Sequence, residues 1–163
     1  GSFIFVAAAK STTIHVVDAF TLERISHFSI ANTIQTLFTG RDDIIREHKM
    51  GCLRVSSLIT ADNRLWIGTS AGFALHTPIA LLKTQQQPTL TVCGVGNAGP
   101  CRLLLPIPIG ISLRRKGRCS LSVSRQQTPQ TLIVACGEGL DDSTGKTQDG
   151  SLDSINHLLF WKS

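Results

Sequence analysis

The chain alternates short apolar runs with turn residues, and helical spacing is scarce along it. Phe3–Ala8, Thr13–Val17 and Arg24–Ile30 predict three strands, with Asp18-Ala19-Phe20-Thr21 turning between the last two. Leu53–Thr60, Leu65–Thr69 and Phe73–Ile79 predict three more. Ala61-Asp62-Asn63-Arg64 and Ser70-Ala71-Gly72 close these as hairpins, because Asn and Gly tolerate positive φ. Thr89–Cys93, Leu103–Ile107, Leu121–Ser124, Thr131–Cys136 and His157–Lys162 complete the set. Thr33–Met50 is the one stretch where a short helix is plausible, and it is polar enough to be a loop. Leu140–Ile155 is rich in Asp, Ser, Thr and Gly and reads as a mobile loop. The expected fold class is all-β.

A weak internal repeat orders these strands. Ile4-Phe5-Val6-Ala7-Ala8-Ala9-Lys10-Ser11 matches Leu65-Trp66-Ile67-Gly68-Thr69-Ser70-Ala71-Gly72, and both match Leu132-Ile133-Val134-Ala135-Cys136-Gly137-Glu138-Gly139. Each block is an apolar triplet, then small residues, then a turn into a second apolar strand. A continuous apolar run predicts a strand buried on both faces, as inside a stack of sheets. Small residues after it let neighbouring backbones approach. The four runs between Leu53 and Cys93 form an antiparallel meander, the blade unit of a β-propeller. The spacing between blocks exceeds the roughly 40–45 residues of a WD40 blade, so loop insertions are assumed. The expectation is a WD40-like propeller segment of about three four-stranded antiparallel blades, over residues 3–30, 52–93 and 101–162.

Composition adds exclusions. Hydrophobic residues make up 42% and charged residues 17% of the 163, which argues against wholesale disorder. The apolar stretch Leu103–Leu113 is broken by Pro106, Pro108 and Gly110, so no membrane-spanning helix is expected there. The five cysteines, Cys52, Cys93, Cys101, Cys119 and Cys136, lack a C-x-x-C pair, which leaves ordinary buried thiols of a cytoplasmic protein as the expectation. The net charge of +5 is uneven, since no acid occurs between Asp62 and Glu138. Within that stretch Arg114, Arg115, Lys116 and Arg118 form a cluster, a candidate for anionic protein or lipid surfaces. No aromatic residues interleave with it as stacking platforms, so no specific nucleic-acid contact is expected.

Several motifs approach known chemistry and lack a required element. Gly94-Val95-Gly96-Asn97-Ala98-Gly99 is a G-x-G-x-x-G after a strand, but Pro100, Pro106 and Pro108 forbid the helix that should follow. No acid lies about 20 residues onward to hold a ribose. Gly145-Lys146-Thr147 suggests a phosphate loop, but Leu140 stands where a glycine is needed. None of His15, His27, His48, His76 and His157 makes H-x-x-x-H spacing, and there is no G-x-S-x-G elbow. No catalytic, cofactor-binding or metal-binding residue is therefore assigned. A small nucleotide-binding enzyme using Gly94–Gly99 stays as the alternative from a different class.

Leu65-Trp66-Ile67-Gly68-Thr69-Ser70-Ala71-Gly72, with the following strand ending in Pro78-Ile79, resembles the L-W-[IV]-G-T-x-x-G…P-[IL] blade motif of the C-terminal WD40-like propellers of large Rho guanine-nucleotide exchange factors. Leu132–Gly139 and His157-Leu158-Leu159-Phe160-Trp161-Lys162 resemble the final strands of the same family, and similar blocks occur in JNK-interacting scaffold proteins. Residues 100–130 depart from the family pattern. The resemblance implies a non-catalytic protein-interaction or autoregulatory module of a cytosolic exchange factor, with the exchange chemistry in a separate module. The alternative it implies is the propeller of a JNK-pathway and motor-cargo scaffold. The expected partners are proteins, further blades of the same propeller among them. With only about three blades, the chain is expected to be an incomplete domain that self-associates.

Overall fold

The computed structural model describes residues 2–83, 87–109, 130–139, 141–142 and 156–162. The N-terminal sheet has the order β1 (Phe3–Ala7), β2 (Thr13–Asp18), β3 (Arg24–Ser29), all antiparallel. Its β2–β3 turn is held by Asp18, whose Oδ1 accepts from the backbone N–H of Phe20 at 2.8 Å and of Thr21 at 3.0 Å. Those donors, Thr21 first and then Phe20, keep the Asp18 carboxyl below its ordinary value, because they bind the charged form better than the neutral one.

The stretch Thr33–Met50, open between helix and loop in the sequence, holds most of two helices. They are α1 (Ala31–Leu37) and α2 (Asp43–Gly51), with Gly40 at φ +82° between them. α1 buries Ile34, whereas α2 buries nothing, which is why apolar periodicity does not reveal it. Asp42 caps α2 by accepting from Ile44 N–H at 2.9 Å and Ile45 N–H at 3.3 Å. Near the other end of α2 the Lys49 ammonium donates to the carbonyls of Ala71 and Ala98, anchoring the helix to two distant turns.

The middle sheet is the meander β4 (Val55–Ala61), β5 (Arg64–Thr69), β6 (Ala74–Pro78), β7 (Thr91–Val92), in that order. Asp62 at φ +46° and Asn63 at φ +58° make the two-residue hairpin turn expected from their side chains. A 3-10 turn follows β6 at Ile79–Lys83, and β7 is shorter than Thr89–Cys93 predicts. The C-terminal sheet has the order β12 (Asn156–Lys162), β10 (Gln130–Glu138), β9 (Leu103–Ile109). Pro106 and Pro108 are accommodated because β9 is an edge strand among the described residues. A small ribbon pairs β8 (Val95–Gly96) with β11 (Asp141–Asp142). Asp141 and Asp142 were expected inside a loop; pairing with β8 makes them a strand, and residues 143–155 lie outside the described set. So does Leu121–Ser124.

Two clusters of buried side chains show how the sheets stack. One joins Ile14, Val16 and Phe28 of the N-terminal sheet to Ile34 and Phe38 and to Leu65, Ile67 and Leu75 of the middle sheet. The other joins Trp66 and Ala74 of the middle sheet to Leu104, Ile133 and Ala135 of the C-terminal sheet. The middle sheet is thus covered on both faces, and β5 is apolar on both for that reason. The expectation of two buried faces fails for the first repeat block. Ile4 is 42% and Val6 45% exposed, because β1 lies at a sheet edge and only its Phe3, Phe5 and Ala7 side packs on the core. Among the described residues only the middle sheet has four strands, and no sheet closes on itself.

Candidate functional site

Among the described residues the outer face of the C-terminal sheet is apolar, with exposed side chains on both flanking strands. Along β10, Ile133 and Ala135 point into the stack, so Leu132, Val134 and Cys136 point out. The register places Val134 between Leu105 and Phe160, Cys136 between Leu103 and Leu158, and Leu132 between Ile107 and Lys162. Leu103, Leu105, Ile107, Leu158 and Phe160 are 40 to 58% exposed. Large aliphatic and aromatic groups in adjacent rows form a continuous surface of the kind that marks protein contacts.

At the ends of the strands, one cation from each sheet meets in an open hollow of about 620 Å³. Lys10 comes from the β1–β2 turn, Arg54 from the residue before β4, and Arg102 from the residue before β9. Arg102 Nη2 donates to Glu138 Oε1 at 3.0 Å. A neighbouring hollow of about 230 Å³ is lined by Lys10 and Arg54 again, with Cys52 and Leu53.

The glycine motif Gly94–Gly99 is a clasp between the middle and C-terminal sheets. Gly96 lies in β8 against Asp141, Asn97 N–H donates to Gly72 carbonyl at 2.9 Å, and Gly99 N–H to Glu138 carbonyl at 2.8 Å. The Asn97 side chain is fully buried and packs on the Cα of Gly137, where a Cβ would lie 2.5 Å from Asn97 Cγ. Gly72 has φ +100°, and a Cβ there would stand 1.7 Å from Asn97 O. These repeat-block glycines therefore serve close approach between sheets. Residues after Gly99 enter the edge strand β9, so no helix N-terminus faces the motif.

The thiols divide by burial. Burial pushes Cys93 up to about 12 and Cys101 to about 11, which leaves them protonated and unreactive at neutral pH. Cys52 is exposed, and Cys136 sits half-buried on β10. His76 lies against Trp66 with ring centres 4.7 Å apart and ring planes tilted by 46°, and His15 lies 6.1 Å from His27. Among the described residues no group of three His, Cys, Asp or Glu is placed to hold a metal. No helix among them is long and apolar enough to cross a membrane.

The basic cluster Arg114, Arg115, Lys116 and Arg118 lies outside the described residues, as do Gly145-Lys146-Thr147 and Cys119. The hollow formed by Lys10, Arg54 and Arg102 was not visible as a motif, because its cations are far apart in the chain. The signal that could have found it is positional, since Lys10 lies in the first repeat block, Arg54 is the second residue of the predicted strand Leu53–Thr60, and Arg102 directly precedes the predicted strand Leu103–Ile107.

No protein-family model matches the chain. Over 166 residues, covering 99% of its length, the chain is 48% identical to the Rho guanine nucleotide exchange factor osg-1 of Caenorhabditis elegans. Over 190 residues it is 26% identical to Rho guanine nucleotide exchange factor 17 of Homo sapiens, and over 197 residues 26% identical to that of Mus musculus, each alignment covering 98% of the chain. It spans 14% of the length of the first and 9% of each of the other two. From end to end, the chain is similar to a short segment of Rho guanine nucleotide exchange factors.

Proposed function

We propose that this chain is a non-catalytic protein-interaction or autoregulatory segment of a cytosolic Rho guanine nucleotide exchange factor, folded as part of a WD40-like β-propeller. The observation that carries this reading is the run of exposed apolar side chains on the outer face of the C-terminal sheet, Leu103, Leu105, Ile107, Leu158 and Phe160. Such a face in water favours a protein neighbour, either a further blade or another polypeptide. The propeller part is supported by three antiparallel sheets that follow one another in the chain and stack face to face in that order, which fits blades over residues 3–30, 52–93 and 101–162. The share of the relatives that the chain spans supports placing nucleotide exchange in other parts of a longer protein. The cluster Arg114, Arg115, Lys116 and Arg118 adds, in this reading, a weak and salt-sensitive contact with anionic surfaces, lost when all four are replaced by Ser.

Sedimentation of the purified chain tests the reading. Wild type should associate in a concentration-dependent way, and a Leu105→Ser, Phe160→Ser double variant should run as a monomer. A wild-type chain that stays monomeric at every concentration sinks the interaction reading. Acceleration of guanine-nucleotide release from a Rho GTPase by the chain alone sinks the non-catalytic one.

A further inference from the structure

We infer that the hollow between Lys10, Arg54 and Arg102 is a docking site for an acidic, extended peptide segment of a protein partner. The inference rests on the protein-interaction reading and gives it a second surface with a defined chemistry. The cations come from all three sheets, yet their backbones are fixed. Ser11 carbonyl, next to Lys10, accepts from Val55 N–H at 2.9 Å. Arg54 N–H donates to Ser70 Oγ at 2.9 Å, and its carbonyl accepts from Ser70 N–H at 3.0 Å. Arg102 N–H donates to Cys136 carbonyl at 3.0 Å. The junction of the sheets thus fixes the three backbone positions around one opening, so a ligand need order only the side chains.

Charge decides the occupant. Among the described residues that line the hollow none is acidic, and its other walls include Val55 and Pro100. Like charges around a low-dielectric concavity focus a positive potential into it. Glu138 shows what the site accepts, since its carboxylate already takes one donor of Arg102. Shape separates the anionic candidates. Lys10 and Arg54 also line the second hollow, so cations are spread over two adjoining hollows, matched to carboxylates spaced along an extended chain. A bilayer would need these charges on a protruding surface, and a nucleic acid would need aromatic platforms, of which there is none among the described residues lining either hollow.

The experiment is a titration of the full chain with a fluorescein-labelled peptide of alternating Glu and Ala, beside the same peptide with Gln in place of Glu. The acidic peptide should bind and its amide counterpart should not, with binding lost at high salt. Lys10→Ser, Arg54→Ser and Arg102→Ser combined should weaken binding at least about 10-fold, at about 2- to 5-fold per exposed charge pair. Glu138→Gln should tighten it about 2-fold by releasing Arg102. If the triple variant melts early, Arg54→Gln alone provides the test. Equal binding of both peptides, wild-type affinity in the triple variant, or preference for phosphatidylserine vesicles over the acidic peptide overturns the inference. None of these outcomes bears on the sedimentation of Leu105→Ser, Phe160→Ser, so the two readings can fail separately.

Discussion

The middle and C-terminal sheets are made from the same kind of residue and meet different surroundings. In β5, Leu65 and Ile67 pack on the N-terminal sheet and Trp66 packs toward the C-terminal sheet, so all three are within 1% of full burial. In β10, Ile133 and Ala135 reach the middle sheet, while Leu132 and Val134 face the other way, flanked among the described residues by Leu105, Ile107 and Phe160, which are 40 to 55% exposed. An apolar triplet thus reports a strand suited to cover on both faces. Whether both are covered depends on what lies beside its sheet. In the middle sheet both neighbours are described sheets of the chain, and on the outer C-terminal face no described sheet is packed.

Mutation can break this comparison at its strongest point first. Trp66→Ala should cost about 3–5 kcal/mol, because it empties space between two sheets that cannot fully collapse; chemical denaturation reads the loss. Gly137→Ala should cost about 1–3 kcal/mol by forcing the buried Asn97 side chain away from the C-terminal sheet. Loss of protection at Gly99 N–H in hydrogen exchange would localise that damage to the clasp. Phe160→Ser, on the outer C-terminal face, should leave the monomer within about 0.5 kcal/mol of wild type while reducing association. A penalty like that of Trp66→Ala would show that this face is already core.

The smallest effect is one of pH. Desolvation, and then the charge of Arg64, lower the His76 pKa from its ordinary 6.5. A group whose folded pKa is depressed takes up protons more readily when unfolded, so its contribution is complete above pH 6.5 and fades as pH falls toward the folded value. Melting temperature should therefore decline between about pH 7 and about pH 5, and His76→Gln should flatten that slope.

Strands were the legible part of this molecule, because period, β-branching and turn chemistry are local. Asp62-Asn63 gives its hairpin away by side-chain type alone, and β1, β2, β3, β5 and β12 start and end within one residue of their apolar runs. α2 was only partly legible: Thr33–Met50 admitted a short helix, but α2 has no fully buried residue and is held by its cap, by Lys49 and by partly buried Met50. The exposure of Ile4 and Val6 was hidden for another reason: burial belongs to the assembly of sheets, and a single strand's sequence cannot state its neighbours. The basic hollow was hidden in the same way, since three cations from three sheets converge only in space. The glycine motif misled in the opposite direction. Its residues are spaced like a phosphate cradle, but Gly96 and Gly99 are instead used to bring Asp141 and Glu138 alongside.

The clasp also bears on the order in which the molecule can be assembled. The β1–β3 and β4–β7 sheets each draw on one contiguous stretch of chain, so their pairings close short loops and can form as the ribosome releases them. The β8–β11 ribbon is different, because Val95-Gly96 must wait for Asp141-Asp142 to emerge. Until then the exposed end of the middle sheet carries Gly96 and Asn97 without their later partners. The ribbon acts as a latch fastened late in synthesis, so truncation before Asp141 would leave two formed sheets and an unfastened third.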